Sequence, residues 1–275
     1  MVGYIGPNGA GKSTTIKIMC GILTPDSGIC NIDSRTPWRE RVDHVRKIGV
    51  VFGQRSQLWW DVPIIDSFEL IRDIYKTDEK TYKNSLEELT ELLDLAELLK
   101  TPARSLSLGQ RMRCEIAASL LHVPKILFLD EPTIGLDAVS KVAVRQFIKK
   151  LNAEHGTTVI LTTHDMQDIE ALTERILLIG KGKILLDGSL NELKKRFSKR
   201  KTLVVEYRGP TPEIIEGMTL SDSKNGRLVI VLDPSILPAS DAIAHLAVQT
   251  ELIDVSVSGI TAEEMVAALY KEYKI

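Results

Sequence analysis

Gly6-Pro7-Asn8-Gly9-Ala10-Gly11-Lys12-Ser13-Thr14 is the stretch from which the rest of the chain can be read. Two glycines enclose four residues and are followed by Lys and Ser, the spacing of a phosphate-binding loop. Glycine lets the backbone curl until successive N–H groups face a row of phosphates. Lys12 is then placed to reach the β- and γ-phosphates of a nucleoside triphosphate, and the Ser13 hydroxyl to ligate Mg²⁺. Residues 2–5 read as a short buried strand, and 15–20 as a helix whose positive end faces the phosphates. Strand, glycine-rich loop and helix are the setting this chemistry requires, so the whole loop is a candidate nucleotide contact.

The chain has 275 residues, 44% of them hydrophobic and 26% charged, which suits one large α/β domain or a medium domain plus a small one. A formal net charge of −2 gives no reason to expect a nucleic-acid-binding surface. No apolar run approaches the ~20 residues that span a bilayer, and Met1 is not followed by a signal peptide. The expected location is the cytosol, or a membrane surface reached through a partner. Cys20, Cys30 and Cys114 are scattered without metal or redox spacing, and read as reduced thiols used as small apolar side chains.

Working outward from the loop, residues 29–32 and 48–52 are expected strands and 40–47 a short helix. Residues 64–76, 78–100 and 107–121 are expected helices; with the loop that carries Trp59 and Trp60 they outline a helical subdomain at about 60–121. Apolar runs at 126–129 and 158–162 have the composition of strands buried in a parallel sheet, and helices are expected at 140–154 and 166–173. Strands at 175–179 and 184–186 follow. This alternation predicts an α/β fold with a mainly parallel sheet in a phosphate-loop core, occupying residues 1–195. Residues 194–201 are a basic run, expected to be a solvated helix end or linker. Beyond it the pattern changes to short alternating strands at 202–207, 227–232 and 252–257, with helices at 240–248 and 262–273. Residues 201–275 therefore read as a small α+β module of ferredoxin-like size.

Asp130-Glu131 closes the apolar run at 126–129. In an open α/β sheet, ligands bind beyond the carboxyl ends of the strands, which brings both carboxylates beside the phosphate loop. Asp130 is a natural partner for Mg²⁺, and Glu131 is placed to polarise an attacking water.

The order phosphate loop, Gln54, Leu106-Ser107-Leu108-Gly109-Gln110, Leu127-Phe128-Leu129-Asp130-Glu131-Pro132, Gly135-Leu136-Asp137, His164 resembles the ATP-binding-cassette (ABC) ATPase family, over roughly residues 2–189. The Leu-Ser-x-Gly-Gln motif beside an acidic strand is specific, because other phosphate-loop ATPases lack it. More loosely, the tail near 261–265 resembles the C-terminal extension of drug- and small-molecule exporter ATPases.

The resemblance implies ATP and Mg²⁺ as cofactors, with Lys12, Glu131, His164 and Gln54 as catalytic residues and Ser13, Gln54 and Asp130 around the metal. It implies that Ser107, Gly109 and Gln110 open a helix whose positive end caps the γ-phosphate of a second ATPase subunit. Asp137 would orient contacts across that dimer, and His164 would meet the γ-phosphate. The implied partners are that second subunit and separate transmembrane permease subunits, at the cytoplasmic face of the cell membrane, with export as the direction. Trp59-Trp60 would face the permease, packing inside the helical subdomain being the other reading. Taken singly, Gln54 reads as a loop residue, Ser107 as a helix cap and His164 as a surface histidine. His44, His122, His155 and His245 read as structural or surface residues.

The sequence departs from the family pattern in two places. Leu108 stands where the family usually has Gly, which leaves less room beside the phosphate. Only residues 2–5 lie between Met1 and the loop, where family members carry a few strands and an aromatic residue that stacks on adenine. Weakened ATP affinity and an exposed sheet edge are the expectation that follows. A non-hydrolysing nucleotide-binding regulator is the alternative function. A DNA-repair ATPase of this family would need a long coiled coil, and a translation-type protein a second phosphate loop; the sequence has neither.

Overall fold

A six-stranded sheet carries the phosphate loop, and its strand order explains why the loop lies where it does. In the computed structural model, which describes residues 1–53, 55–197, 200–259 and 261–272, these strands are β1 (Val2–Ile5), β2 (Ile48–Phe52), β3 (Ile126–Asp130), β4 (Thr158–Thr162), β5 (Arg175–Gly180) and β6 (Lys183–Ser189). Their order is β2-β3-β4-β1-β5-β6, and the pairs from β2 to β5 are parallel. β6 follows β5 through the two residues Lys181 and Gly182, a connection too short for a parallel crossover. Asp130 is level with Thr162, and Thr162 with Tyr4, so β1, β3 and β4 end together. Their carboxyl ends release the phosphate loop, Glu131 and Thr163 side by side.

The helices of this part of the chain are α1 (Lys12–Met19), α2 (Arg41–Val45), α3 (Ile64–Tyr75), α4 (Glu79–Leu92), α5 (Leu108–Leu120), α6 (Ala138–His155) and α7 (Met166–Leu172). α1 buries Ile16 against Ile48 and Phe128, with Cys20 just beyond its end in the same cluster. That packing ties the first turn of α1, and the loop before it, to β2 and β3. Burying side chains of this size is worth about 1.5–3 kcal/mol each, enough to hold a glycine-rich loop that has little packing of its own.

Two sequence expectations need correction here. Residues 29–32 form no strand: Ile29 is 89% exposed, and only Ile32 pairs, with Arg35 across the turn at Asp33 and Ser34. Both turn residues have positive φ, which folds the segment back on itself before a neighbouring strand can be met. The helix expected over 78–100 ends at Leu92, because Asp94 adopts φ 50° and breaks the ladder. Leu95 and Leu98 remain buried beyond that break, which is why the apolar stripe continues past the helix.

Met1–Asp187 and Gly188–Ile275 are two separate compact units. The second contains α8 (Leu190–Phe197), β7 (Lys201–Arg208), β8 (Met218–Lys224), β9 (Arg227–Leu232), α9 (Ala239–Gln249), β10 (Glu251–Gly259) and α10 (Ala262–Glu272). Its four strands pair antiparallel in the order β10-β7-β9-β8. Leu203, Val205, Tyr207, Leu228, Ile230 and Leu232 alternate onto one face and bury Ala242 and Leu246 of α9. The sequence reading missed β8, whose exposed residues are mostly polar. Its hairpin with β9 turns at Asn225-Gly226, a strong two-residue turn signal, with Gly226 at φ 78°. The basic run begins inside α8; residues 198 and 199 lie outside the described residues.

Candidate functional site

The loop between β1 and α1 reaches its curled form through Gly9 at φ 79° and Gly11 at φ 104°. Ala10 turns inward onto Tyr4 and Ile179 and anchors the loop to the sheet. Gly6 passes so close to β5 that an added Cβ would stand 2.8 Å from Ile179 Cγ1. The loop opens onto a cavity of about 610 Å³, lined by Gly6, Pro7, Asn8, Gly9, Gly11, Lys12, Ser13 and Thr14 together with Glu131, Ile134 and His164.

In and beside this cavity the predicted residues come together, with Asp130 in an adjoining pocket that shares Ser13 and Glu131 with it. Lys12 Nζ donates to Gly6 O at 2.7 Å and Pro7 O at 3.2 Å. It is a buried ammonium with neutral acceptors and, among the described residues, no carboxylate partner. Asp130 Oδ1 accepts from Ser13 Oγ at 3.2 Å and from Thr162 Oγ1 at 2.5 Å. Glu131 has φ 56°, and its N–H donates to Thr162 O at 3.0 Å. The His164 Nδ1–H donates to Glu131 Oε2 at 2.8 Å. The residues fit a bound Mg²⁺–nucleotide. An uncompensated buried cation and a curled amide loop face the space a polyphosphate needs, and a hydroxyl–carboxylate pair of hard oxygen donors stands at its side.

A second group of predicted residues lies apart from that cavity in the single chain. Ser107 caps α5 reciprocally: Gln110 N donates to Ser107 Oγ at 3.2 Å, and Ser107 N to Gln110 Oε1 at 2.9 Å. Asp137 caps α6, accepting from Ser140 N at 2.9 Å and Ser140 Oγ at 2.8 Å. These bonds hold its carboxyl below the usual aspartate range. Gly109 approaches this cap so closely that a Cβ would meet Ser140 Oγ at 2.5 Å. Leu108 packs over Gly135, where a Cβ would meet Leu108 Cδ2 at 2.8 Å. The two motifs thus form one surface cluster built from α5 and the loop before α6. Gln54 lies outside the described residues.

Beside this cluster, Glu115 of α5 is buried, and burial pushes its carboxyl above the normal range. It bonds Ser56 Oγ and accepts from Gln57 N at 3.1 Å, which joins α5 to the segment after β2. Trp59 and Trp60 are 58% and 50% exposed, with the Arg111 guanidinium 5.4 Å from the Trp60 ring. They are not core residues of the helical subdomain.

Sequence reading overlooked Thr162, which holds both Asp130 and Glu131, and a buried polar network of Thr133, Arg145, Thr163 and Asp168 beneath the site. Hydroxyls at the ends of buried strands were the available signal for Thr162 and Thr163. Arg145 and Asp168 look like surface charges on helices until the fold buries Asp168 and partly covers Arg145. The remaining histidines have local partners: His44 bonds Met19 O, His122 bonds Ile48 O, His155 bonds Glu88, and His245 bonds Gln249. Cys20 and Cys114 are buried free thiols, pushed by burial up to about 12.

A phosphate loop at the end of a central parallel strand, with a Glu–His pair across from it, defines a phosphate-loop nucleotide site. The comparisons narrow the class. Residues 1–134 match the family model described as ABC transporter. The probable sulfate/thiosulfate import ATP-binding protein CysA of Chlorella vulgaris is 33% identical over 193 residues, 70% of this chain and 81% of that protein. The daunorubicin resistance ATP-binding protein DrrA3 of Streptomyces coeruleorubidus is 34% identical over 192 residues, 70% of this chain and 60% of that protein. The chain thus spans about 60% of the length of the resistance-type relative it matches. Among solved structures, the dimeric structure of MJ0796, a bacterial ABC transporter cassette, aligns with a TM-score of 0.61 at 30% identity, covering 69% of this chain and 85% of the other. This chain belongs to the family of ABC transporter ATP-binding proteins.

Proposed function

We propose that the chain binds and hydrolyses Mg·ATP as one of two ATPase subunits that drive a separate membrane-spanning permease. The observation that carries this reading is the 2.8 Å pair of Glu131 and His164, aimed into the phosphate-loop cavity. A carboxylate held by an imidazole is a base for water, oriented by a second group. Lys12 is positioned to neutralise phosphate charge, and Asp130 to hold a metal through Ser13 and its own oxygens. Bound Mg²⁺ would supply charge neutralisation on the phosphate oxygens. Gln54 is proposed as the residue that reports the state of this centre to the helical subdomain.

The α5 cap, with Ser107, Gly109 and Gln110, and the α6 cap at Asp137 are proposed to face the γ-phosphate of the second subunit, since within one chain they stand away from the loop. The dimeric cassette to which the chain is similar supports that pairing. The exposed Trp59 and Trp60 are proposed as the permease contact, which would hold the chain at the cytoplasmic face of the membrane. Export is the proposed direction, in line with the resistance-type relative. No helix among the described residues is long and apolar enough to cross a membrane.

The test is the mass in solution of the Glu131→Gln variant with and without Mg·ATP. The substitution removes the base while keeping the shape, so ATP should stay trapped between two chains and a dimer should appear only with nucleotide. A monomer under both conditions, from a chain that still binds ATP, would overturn the paired reading. A wild-type chain that dimerises on ATP but releases no phosphate would favour the non-hydrolysing regulator.

A further inference from the structure

Beneath the Glu131–His164 pair lies one fully buried carboxylate, that of Asp168 in α7. Its Oδ2 accepts from Thr133 Oγ1 and, at 3.2 Å, from Thr163 Oγ1; its Oδ1 accepts from Arg145 Nε at 2.5 Å. Thr133 stands two residues after Glu131 and Thr163 one before His164, so this side chain grips both loops that carry the pair. Arg145, on α6, also donates to Asp165 Oδ2 at 3.3 Å, and Lys141 to the same oxygen at 2.6 Å. Asp165 N in turn donates to Thr163 Oγ1 at 2.9 Å, which closes the network around His164.

Two physical points give this network a purpose beyond stability. A buried ion pair roughly cancels its own desolvation cost, so packing alone does not require one here. Glu131, meanwhile, sits in a left-handed backbone conformation that costs on the order of 1 kcal/mol or more and persists only where its surroundings impose it. Surroundings that fix both loops are what keep this conformation and the 2.8 Å Glu131–His164 contact in place together.

We propose that Asp168 is a positioning residue: through the hydroxyls of Thr133 and Thr163 it holds the Glu131 and His164 loops in the register that keeps the base and its imidazole partner together. It is fully buried and does not line the phosphate-loop cavity. For its kinetic effect this rests on the proposed hydrolysis; for its structural effect it does not.

Asp168→Ala would strip Arg145 of its 2.5 Å partner and both threonines of their acceptor, and is expected to disrupt the site as a whole, so the informative substitution is Thr133→Val, which keeps shape and removes one donor. In the full chain, with Mg·ATP, kcat should fall about ten- to a hundred-fold while ATP affinity stays at the wild-type value, because the phosphate loop is untouched. The ¹⁵N resonance of His164 Nδ1 should move away from its hydrogen-bonded position. Thr133→Ser should restore both. A Thr133→Val protein that melts earlier yet keeps wild-type kcat and an unmoved His164 resonance would overturn the proposal. Should the wild-type chain hydrolyse nothing, the hydrolysis reading falls and the His164 resonance alone decides: a shift in Thr133→Val supports the positioning role, and no shift ends it.

Discussion

His122 shows what a single buried side chain imposes on this protein. Its ring stacks on Tyr75, with centroids 3.8 Å apart, and Nε2–H donates to Ile48 O at 2.9 Å. Among the described residues its Nδ1 is buried without a partner, so a second proton there would be a buried unpaired charge. Burial, opposed by the bond to Ile48, lowers its pKa to about 4. The unfolded chain takes that proton near pH 6.5, so between the two values it binds more protons than the folded one. Stability from this residue is therefore complete above about pH 6.5 and is lost as pH falls toward about 4. The loss should reach about 2–3 kcal/mol, slightly discounted for residual exposure. Urea unfolding of wild type and His122→Gln at stepped pH checks this: the difference between the two should shrink or reverse across that window and be flat above it.

At the scale of elements, α5 is held at its start by a cap and along its length by burial. Ser107 and Gln110 satisfy amide groups at its first turn reciprocally, while Met112, Ile116 and Leu120 face the core. Ser107→Ala should cost about 1 kcal/mol, and Ser107→Gly only a few tenths, read as melting temperature in the nucleotide-free chain. If Ser107 also meets a phosphate across the dimer, both substitutions should weaken ATP-driven dimerisation by more than their stability loss explains. Dimerisation that falls only in step with stability would confine Ser107 to its capping role.

At the scale of the molecule, each unit has a hydrophobic core of its own. Leu246 is fully buried in the second, among side chains of β7, β9 and α9. Leu246→Ala should therefore cost about 2–5 kcal/mol, and calorimetry of the full chain should show that loss in one transition while a second stays at its wild-type temperature. A single transition moving as a whole would mean that the two cores melt as one. ATP should raise only the transition that belongs to residues 1–187.

Much of this was legible in the residues. The phosphate loop needs only short-range information, two glycines and a lysine at fixed spacing, and β2 and β9 carry apolar runs whose ends are marked by their neighbours. The order of Ser107, Asp130, Glu131, Asp137 and His164 was likewise readable, because motif chemistry depends on residue type and spacing. Residues 29–32 and 94–100 misled because apolar character was present where partner and backbone angle were not. The sequence by itself determined the alternating α/β plan, the loop and the residues that face it, since periodicity and glycine placement act locally. Only the tertiary structure decided that Thr162 braces Asp130 and that Asp168 is buried against Thr133 and Arg145, because those partners lie 32, 35 and 23 residues apart and become neighbours only once the parallel strands are in register and the helices are packed.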